Sequence, residues 1–450
     1  MNTATAIPIE FLSGVPRSGP LTWGQLAIWD VLTWLPADDT TLTLSGVQPV
    51  PPGTGLDAVA GALAALIIRH ESLRTVFSPS ADGPVQHVVA QGRIDVPVHD
   101  TAPGAGRSTA ESLQGELRAV PYDMAADLPL RAAAVTEDGQ PVAVVLTVNH
   151  MAVDAWSFSI MQEDLAALLA ASPLPGPGPQ PLDRLAYEQS PLGLQREQRA
   201  LRYWSEQIGA APTAMLSGFP EPSAAELRWG RIESSALAEA VRLLAVRTGT
   251  APSLVTLALT ARLLARYTGS DRSLLRLIVA TRFNPKTRRL VGAFNQNAVF
   301  GLEIGDDPTD AFLRRASLTA LESYQNCEYD PRSLEVLIDG ITAERGIDSV
   351  GCCFFNDVSF RAGQAPAADA EPESAAERAR RLDRLRAETT LSVPDMDQVP
   401  KGATFFLFLD RLDDLAILQL CADRRFLAPR TPTDFLHDLE GMALGMLDVA

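Results

Sequence analysis

The stretch from residue 144 to residue 169, VVLTVNHMAVDAWSFSIMQEDLAALL, joins a strand, a polar loop and a helix without a break. Its first five residues are apolar or β-branched, which predicts a buried strand. Apolar residues at helical spacing predict a helix at its end. Because open α/β sheets place ligands at the ends of buried strands, the polar residues between the two are the first candidate site. The simpler interpretation is a connecting loop whose His150 and Asp154 are structural.

The composition predicts a soluble globular protein with room for more than one domain. The chain has 450 residues, of which 46% are hydrophobic, and no apolar run is long enough to span a bilayer. The first residues lack the basic segment and apolar stretch of a secretion signal, so a cytoplasmic location is expected. The four cysteines, Cys327, Cys352, Cys353 and Cys421, lack the spacing of zinc ligands, which favours reduced thiols and no metal site.

The charge of the chain restricts its partners. The formal net charge is −17. Nucleic-acid binding needs clustered cations to meet the phosphates, so this charge argues against it. An acidic surface also disfavours anionic membranes. Neither a nucleic acid nor a membrane is therefore an expected partner.

Residues 149–157, NHMAVDAWS, resemble the HHxxxDG motif of the condensation-domain superfamily. That superfamily includes the amide-forming domains of nonribosomal peptide synthetases, free-standing acyltransferases and chloramphenicol acetyltransferase. His150 stands at the second His of the motif and Asp154 at its Asp, whereas Asn149 replaces the first His and Ala155 replaces the Gly. Four further segments resemble the family in the order in which the family carries them. They are residues 21–35 with Gln25 and Trp29, residues 69–77 (RHESLRTVF), residues 202–208 (RYWSEQI) and residues 266–300 with Arg282, Gly292 and Phe294.

The resemblance implies an α/β fold of two chloramphenicol-acetyltransferase-like lobes, arranged in a V around a central channel. Residues 171–180, ASPLPGPGPQ, favour a linker, because their prolines and glycines suit neither helix nor strand. We therefore place the N-terminal lobe, which carries the motif, at residues 1–175 and the C-terminal lobe at residues 176–450. One departure is the missing DFGWG-like motif, which most of the superfamily carries near its last pair of strands.

His150 is the candidate catalytic residue. An imidazole can take the proton of an attacking amine or alcohol, or position that group, at near-neutral pH. The resemblance implies that Asp154 pairs with Arg282 and that Asn149 is structural. It also implies substrate contacts, which we assign to Asn356 on a predicted strand at residues 350–360, Trp156, Ala155 and Ser157. Alanine at position 155 matters most if the backbone there needs a positive φ. His70 is expected to be structural, and Trp156 is alternatively a core residue.

The resemblance implies an acyltransferase of natural-product biosynthesis that forms an amide or ester bond. The donor would be an acyl or aminoacyl group carried as a phosphopantetheine thioester by a carrier protein, and the acceptor a small amine or alcohol. No adenylation motif and no serine-centred carrier segment are visible, so a free-standing enzyme would receive its donor in trans, with no permanently bound cofactor. Asn149, Ala155 and the missing motif favour a second hypothesis, a catalytically silent module that recruits a partner enzyme. A third hypothesis is an acyltransferase that uses coenzyme A thioesters.

Overall fold

The structure of the chain is a computed structural model that describes residues 5–211, 226–347, 353–359, 374–394, 396 and 402–448. It divides into two compact units, each with its own sheet and core. Unit 1 comprises Met1–Gln195 and Ala280–Gln296, and unit 2 comprises Arg196–Val279 and Asn297–Ala450. The α/β fold class predicted from the sequence is confirmed. The V arrangement around a channel stays a prediction.

Unit 1 contains a five-stranded and a three-stranded sheet among the described residues. Its elements in chain order are β1 (Thr5–Leu12), β2 (Arg17–Pro20), α1 (Trp23–Trp34), β3 (Thr43–Pro49), α2 (Leu56–Arg69), β4 (Thr75–Ser78), β5 (Val85–Val88), β6 (Gln91–Thr101), α3 (Gly106–Arg118), β7 (Leu130–Glu137), β8 (Gln140–Asn149), α4 (Ala155–Leu169) and α5 (Pro181–Glu188). The strand order is β1-β6-β7-β8-β3 in the larger sheet and β2-β5-β4 in the smaller one.

Strand β8 is the buried strand that the sequence predicts before the polar loop. It lies between β7 and β3 and is antiparallel to both. The side chains of Val144, Leu146 and Val148 pack in one core with α2 and α4, and that of Val145 packs with α3 on the other face. Burial on both faces explains why this run is continuously apolar and does not alternate with polar residues.

The boundary between the units lies later in the chain than the predicted end of the N-terminal lobe at residue 175. Helix α5, which follows the proline- and glycine-rich residues, belongs to unit 1. Its Glu188 carboxylate accepts a hydrogen bond from Trp23 N at 3.0 Å, and its Asp183 pairs with Arg17 at 3.0 Å. Prolines and glycines show where regular structure is interrupted, but not on which unit the next helix packs. Unit 1 thus extends to Gln195 and includes residues 280–296, whereas the predicted lobe boundary at residue 175 stays a prediction.

Unit 2 contains a seven-stranded sheet among the described residues, with the order β11-β10-β12-β14-β15-β9-β13. Helix α6 (Pro191–Gly209) begins in unit 1 and continues into unit 2. The other elements are β9 (Leu227–Ser234), α7 (Ser235–Thr248), α8 (Pro252–Thr268), β10 (Arg272–Ala280), β11 (Asn295–Glu303), α9 (Thr309–Gln325), α10 (Pro331–Arg345), β12 (Cys353–Asp357), α11 (Ala375–Ala387), β13 (Thr390–Ser392), β14 (Phe405–Leu412), β15 (Ala416–Asp423), α12 (Arg424–Leu427) and α13 (Pro432–Asp448).

One face of the unit 2 sheet packs against α7, α8, α9 and α13, with a large apolar core between them. No single helix in the described ranges is long and apolar enough to cross a membrane; α7 and α8 reach that length only as a pair bent by 105°. Within the described residues, β12 corresponds to the strand predicted at residues 350–360, whereas residues 350–352 and 360 lie outside them. Cys352 also lies outside, and Cys327, Cys353 and Cys421 are buried and not disulfide-bonded.

Candidate active site

The turn that follows β8 holds His150 in a defined position. His150 N donates a hydrogen bond to the carbonyl oxygen of Leu42 at 2.9 Å, and Asn149 N donates to that of Pro129 at 3.0 Å. The Asn149 side chain closes the turn, because its Oδ1 accepts a hydrogen bond from Met151 N at 2.8 Å. Asn149 and Met151 are buried, whereas His150 is half-buried. The turn therefore fixes the backbone and leaves the imidazole as its partly accessible titratable group.

Asp154 is the residue at which the loop ends and α4 begins. As the N-cap of α4, its carboxylate accepts a hydrogen bond from Ser157 N at 2.8 Å, which satisfies one of the open N–H groups of the first turn. Asp154 N donates to the carbonyl oxygen of Gly292 at 3.1 Å, so the loop is hydrogen-bonded to the segment of residues 280–296. The negative charge also interacts favourably with the positive end of the helix dipole. Asp154 thus has a structural role beside His150.

Asp154 and Arg282 form the buried ion pair that the resemblance implies. Arg282 Nη1 donates to Oδ2 at 2.8 Å and Nη2 donates to Oδ1 at 3.0 Å, and both side chains are 3% exposed. Phe294 N adds a hydrogen bond to Oδ2 at 2.9 Å. Arg282 also donates to the carbonyl oxygens of Leu290 and Gly292. The bidentate geometry and these additional bonds offset the cost of burying both charges.

The environment of Asp154 keeps its carboxyl ionised. Burial alone would raise the pKa of this carboxyl. The charge and hydrogen bonds of Arg282, together with the N–H groups of Ser157 and Phe294, outweigh burial and hold the pKa of Asp154 below its usual value. A carboxylate with all of these partners does not exchange a proton near neutral pH, so Asp154 is not a general acid or base of the site.

Ser157, a predicted substrate contact, is held in place by hydrogen bonds in the structure. Its side chain is fully buried, and its Oγ donates to the carbonyl oxygen of Gly292 at 2.7 Å and accepts from Gly292 N at 2.9 Å. Position 292 has no room for a side chain, because a Cβ there would clash with the ring of Phe294. Ser157 therefore joins α4 to residues 280–296. Its contact with a substrate stays a prediction.

Ala155 and Trp156 form the start of α4. Ala155 is half-buried and helical, and among the described non-glycine residues only Asp138 and Ala171 have a positive φ, so alanine at this position is not strained. The indole Nε1 of Trp156 donates to the carbonyl oxygen of Arg288 at 3.0 Å. A cavity of about 340 Å³ is lined by Trp156, Ala280, Arg282, Phe283, Pro285 and Arg288. Trp156 is thus both a wall of this cavity and a neighbour of the unit 1 core.

Asn356, the remaining predicted substrate contact, lies on β12 in unit 2. It is half-buried and stands in register with Phe408 of β14. The preceding residue, Phe355, packs into the core beneath the helices, so Asn356 lies on the opposite face of the sheet. Its contact with a substrate stays a prediction.

A buried carboxylate further along α4 is a feature that the sequence reasoning missed. Asp164 is 1% exposed; its Oδ2 accepts hydrogen bonds from Arg69 Nε at 2.8 Å and His70 Nε2 at 3.0 Å, and its Oδ1 accepts one from Arg289 Nη2 at 2.6 Å. Asp164 therefore ties the end of α2 to α4 and to the segment that carries Arg282. The sequence does contain a sign of this cluster, because Asp164 precedes Leu165 among the apolar residues of the predicted helix. A carboxylate on the buried face of a helix needs cationic partners.

The Asp164 cluster predicts a loss of stability in acid. Burial opposes ionisation, but the hydrogen bonds from His70, Arg69 and Arg289 lower the pKa of Asp164 from 3.8 to about 2. A carboxyl whose pKa is lowered by folding stabilises the protein above its unfolded pKa and loses that contribution as the pH falls, here roughly 2 kcal/mol between about pH 4 and pH 2. Burial also lowers the pKa of His70, so a further loss begins below about pH 6.5.

Urea unfolding of the wild type and of Asp164→Asn between neutral pH and about pH 2.5 measures this contribution. The difference in the free energy of unfolding between the two proteins should shrink as the pH falls below about 4. Glu163→Gln is the matched control, because Glu163 precedes Asp164 on α4 but pairs with Arg289 at the surface, and its pH profile should follow the wild type. A difference that is constant over the whole range would show that Asp164 titrates normally.

Comparison with known proteins places this arrangement in a family. The sequence model of the condensation domain matches residues 40–340. The probable non-canonical nonribosomal peptide synthetase CymA of Salinispora arenicola (strain CNS-205) is 27% identical over 327 residues, which are 69% of this chain and 4% of the relative. The phosphinothricin tripeptide synthetase PhsC of Streptomyces viridochromogenes is 30% identical over 291 residues, 61% of this chain and 26% of the relative. The chain thus spans a small part of the curated relatives it matches.

Solved structures share the fold over almost the whole chain. SgcC5 from Streptomyces globisporus, in a complex with (R)-(-)-1-(2-naphthyl)-1,2-ethanediol and sucrose, superposes with a TM-score of 0.69 at 19% identity and covers 96% of this chain and 99% of its own. The complex of the X-domain and OxyB from teicoplanin biosynthesis gives a TM-score of 0.65 at 17% identity, covering 97% and 93%. At these identities the likeness concerns the fold alone. With a family model that matches most of its length and a fold that agrees with it, the chain belongs to the condensation-domain family.

Proposed function

We propose that this chain is a condensation enzyme. It joins an acyl or aminoacyl donor, carried as a phosphopantetheine thioester by a carrier protein, to a small amine or alcohol, and so forms an amide or an ester in natural-product biosynthesis. Membership of the condensation-domain family supports the reaction class. The carrier protein is inferred from the relatives, which are peptide synthetases.

The proposed chemistry requires a proton acceptor beside the attacking group and a fixed position for the thioester. As the nitrogen or oxygen of the acceptor bonds to the thioester carbon, an imidazole nitrogen of His150 takes the proton of that group. The carbon–sulfur bond then breaks, and the pantetheine sulfur leaves with this proton as a free thiol. Proton transfer of this kind contributes about 10²- to 10⁴-fold in rate, and holding both substrates in place contributes a further large factor.

The observation that carries the proposal is the placement of His150. Its half-buried imidazole stands on a turn whose backbone is fixed by hydrogen bonds to Leu42 and within Asn149–Met151, and whose far end is fixed by the Asp154–Arg282 pair. A catalytic group must be held rigidly if it is to meet a reacting carbonyl, and these contacts hold the backbone of His150 rigidly.

A catalytically silent recruiting module is the second candidate. Asn149 uses its side-chain oxygen to close the turn, so the position of the first motif His has become a structural group that does not titrate. The same fold occurs in the complex of the X-domain and OxyB, so a protein with this architecture can bind another protein. This candidate would be favoured if the folded chain transferred no acyl group from any donor and bound a defined partner enzyme.

Donor preference separates the proposed enzyme from a coenzyme A-dependent acyltransferase. The same octanoyl group is offered on a phosphopantetheinylated carrier protein and on coenzyme A, with a mixture of primary amines and alcohols, and products are identified by mass spectrometry. We expect kcat/KM to be about tenfold or more higher for the carrier, because the carrier protein adds contacts that coenzyme A does not make. Equal or faster use of octanoyl-coenzyme A would contradict a carrier-dependent enzyme.

A further inference from the structure

The unit 2 sheet carries a row of aromatic side chains on the face opposite α7, α8, α9 and α13, beside the β10–β11 end of that face, where α6 and α10 pack. We call this row the aromatic ladder; its members are Phe354, Phe406, Phe408 and Trp229. The residues between them along β14, Phe405 and Leu407, are fully buried in the core beneath the helices, which places the ladder on the opposite face. The three phenylalanines are half-buried, and Trp229 is nearly buried.

The rings of the ladder stack on one another. The centroids of Phe354 and Phe406 are 5.1 Å apart with an angle of 17° between the ring planes, and those of Phe406 and Phe408 are 4.2 Å apart with an angle of 18°. Phe408 and Trp229 continue the stack at 6.0 Å and 23°. Because stacked rings cover one another's faces, the ladder presents a row of apolar ring edges, on which the face of another aromatic ring packs edge-to-face.

A cation stands at the β10 end of the ladder. Arg276 is in register with Phe354, and its guanidinium carbon lies 5.9 Å from the ring centroid of Phe354 and 5.6 Å from that of Trp204. Arg276 is half-buried and makes no ion pair with a carboxylate of the described residues, although Arg272 on the same strand pairs with Glu303. A guanidinium with aromatic partners alone keeps its hydrogen-bond donors for an anion.

Polar side chains flank the ladder on the same face. Asn356, Gln419 and Arg231 follow one another across β12, β15 and β9, in the row of Phe408. A patch of apolar rings beside a few polar groups is typical of small-molecule sites and differs from the uniformly apolar side of the sheet that packs on the helices.

We propose that the aromatic ladder and Arg276 bind the planar, aromatic or conjugated part of a substrate that also carries an anionic group. The face of the flat part packs on the ring edges of Phe354 and Phe406, and the anion pairs with Arg276. This proposal names the substrate class for the proposed function and rests on it, because the ladder shares its face with Asn356, the expected substrate contact.

Three small probes test the ligand class with the full chain by isothermal titration calorimetry. Cinnamate is planar and anionic, cinnamyl alcohol is planar and neutral, and 3-cyclohexylpropanoate is anionic but not planar. We expect cinnamate to bind about tenfold more tightly than either of the others, since it alone makes both the edge-to-face ring contact and the ion pair. Equal binding of the three probes, or no binding of cinnamate, would overturn the proposal.

Two variants locate the binding. Arg276→Gln should weaken cinnamate about tenfold and leave cinnamyl alcohol unchanged, whereas Phe406→Leu should weaken both planar probes and leave 3-cyclohexylpropanoate unchanged. The matched controls are Arg107→Gln, which removes an exposed arginine of α3, and Trp34→Leu, which removes an exposed ring at the end of α1. Cinnamate binding that survives both ladder variants, or falls equally in the controls, would place the site elsewhere.

The binding measurement is independent of turnover, so the two proposals fail separately. Acyl transfer by the wild type without cinnamate binding would remove only the ladder proposal. Cinnamate binding through the ladder without transfer from any donor would remove the enzyme and leave a ligand-binding protein.

Discussion

Replacing His150 with alanine should lower the rate of product formation by about 10²- to 10⁴-fold, which is the contribution that a general base makes to such a reaction. The loss should appear in kcat while KM for the loaded carrier changes little, because the imidazole acts on the attacking group and not on carrier binding. Steady-state kinetics with the acyl-loaded carrier and a fixed acceptor measure this effect. The fold should persist, since the contacts that hold the turn are made by its backbone and by Asn149.

The matched control for this variant is His99→Ala. His99 is also half-buried and also lies in unit 1, but it stands on β6, away from the motif. Its replacement should leave kcat within about twofold of the wild type. Product formation by a folded His150→Ala protein at the rate of the control would remove His150 from the chemistry and favour a role for this chain in recruitment.

Breaking the Asp154–Arg282 pair should cost about 3 to 5 kcal/mol of the free energy of unfolding, because the remaining partner becomes an uncompensated buried charge. Asp154→Asn removes the negative charge while keeping the size of the side chain, and Arg282→Met removes the positive charge. Both also lose hydrogen bonds, including the N-cap of α4 in the first case. Urea denaturation of each variant, and of the double variant, measures the cost.

Two comparisons make this measurement specific. Asp95→Asn breaks an ion pair with Arg93 in which both side chains are more than half exposed, and it should cost less than about 1 kcal/mol. The double variant of Asp154 and Arg282 should cost less than the sum of the single variants, since the second substitution removes the charge that the first left unpaired. A cost below about 1 kcal/mol for Asp154→Asn would contradict the structural role of the pair.

Local patterns in the sequence predicted the strand, the polar loop and the helix that form the candidate site. The run of apolar and β-branched residues before Asn149 predicted a buried strand, and the structure buries this strand on both faces. That Asp154 is the N-cap of α4 is seen only in the structure. The partner of Asp154 is different: Arg282 lies 128 residues later, and no spacing rule joins the two. Only the resemblance to the condensation-domain superfamily nominated it, because the family keeps an arginine there.

Other parts of the site depend on contacts that the sequence does not reveal. A serine on an amphipathic helix can face solvent, ligand or another segment, and the burial of Ser157 is decided by Gly292, which lies 135 residues away. Asp164 pairs with Arg69 at the end of α2, with the neighbouring His70 and with Arg289, so the carboxylate could be recognised as buried but its partners could not. The proline- and glycine-rich linker likewise did not show that α5 packs on unit 1.

Affinity labelling tests most directly whether His150 faces the bond that is formed. A carrier protein whose phosphopantetheine ends in a bromoacetamide places an alkylating carbon where the thioester carbonyl would lie, and an imidazole nitrogen beside it displaces bromide. Digestion and mass spectrometry of the labelled chain should locate the adduct on His150, with His99 unlabelled and no adduct in His150→Ala. An unlabelled His150, with the adduct on another residue or with His99 labelled equally, would contradict the assignment of His150 as the catalytic group.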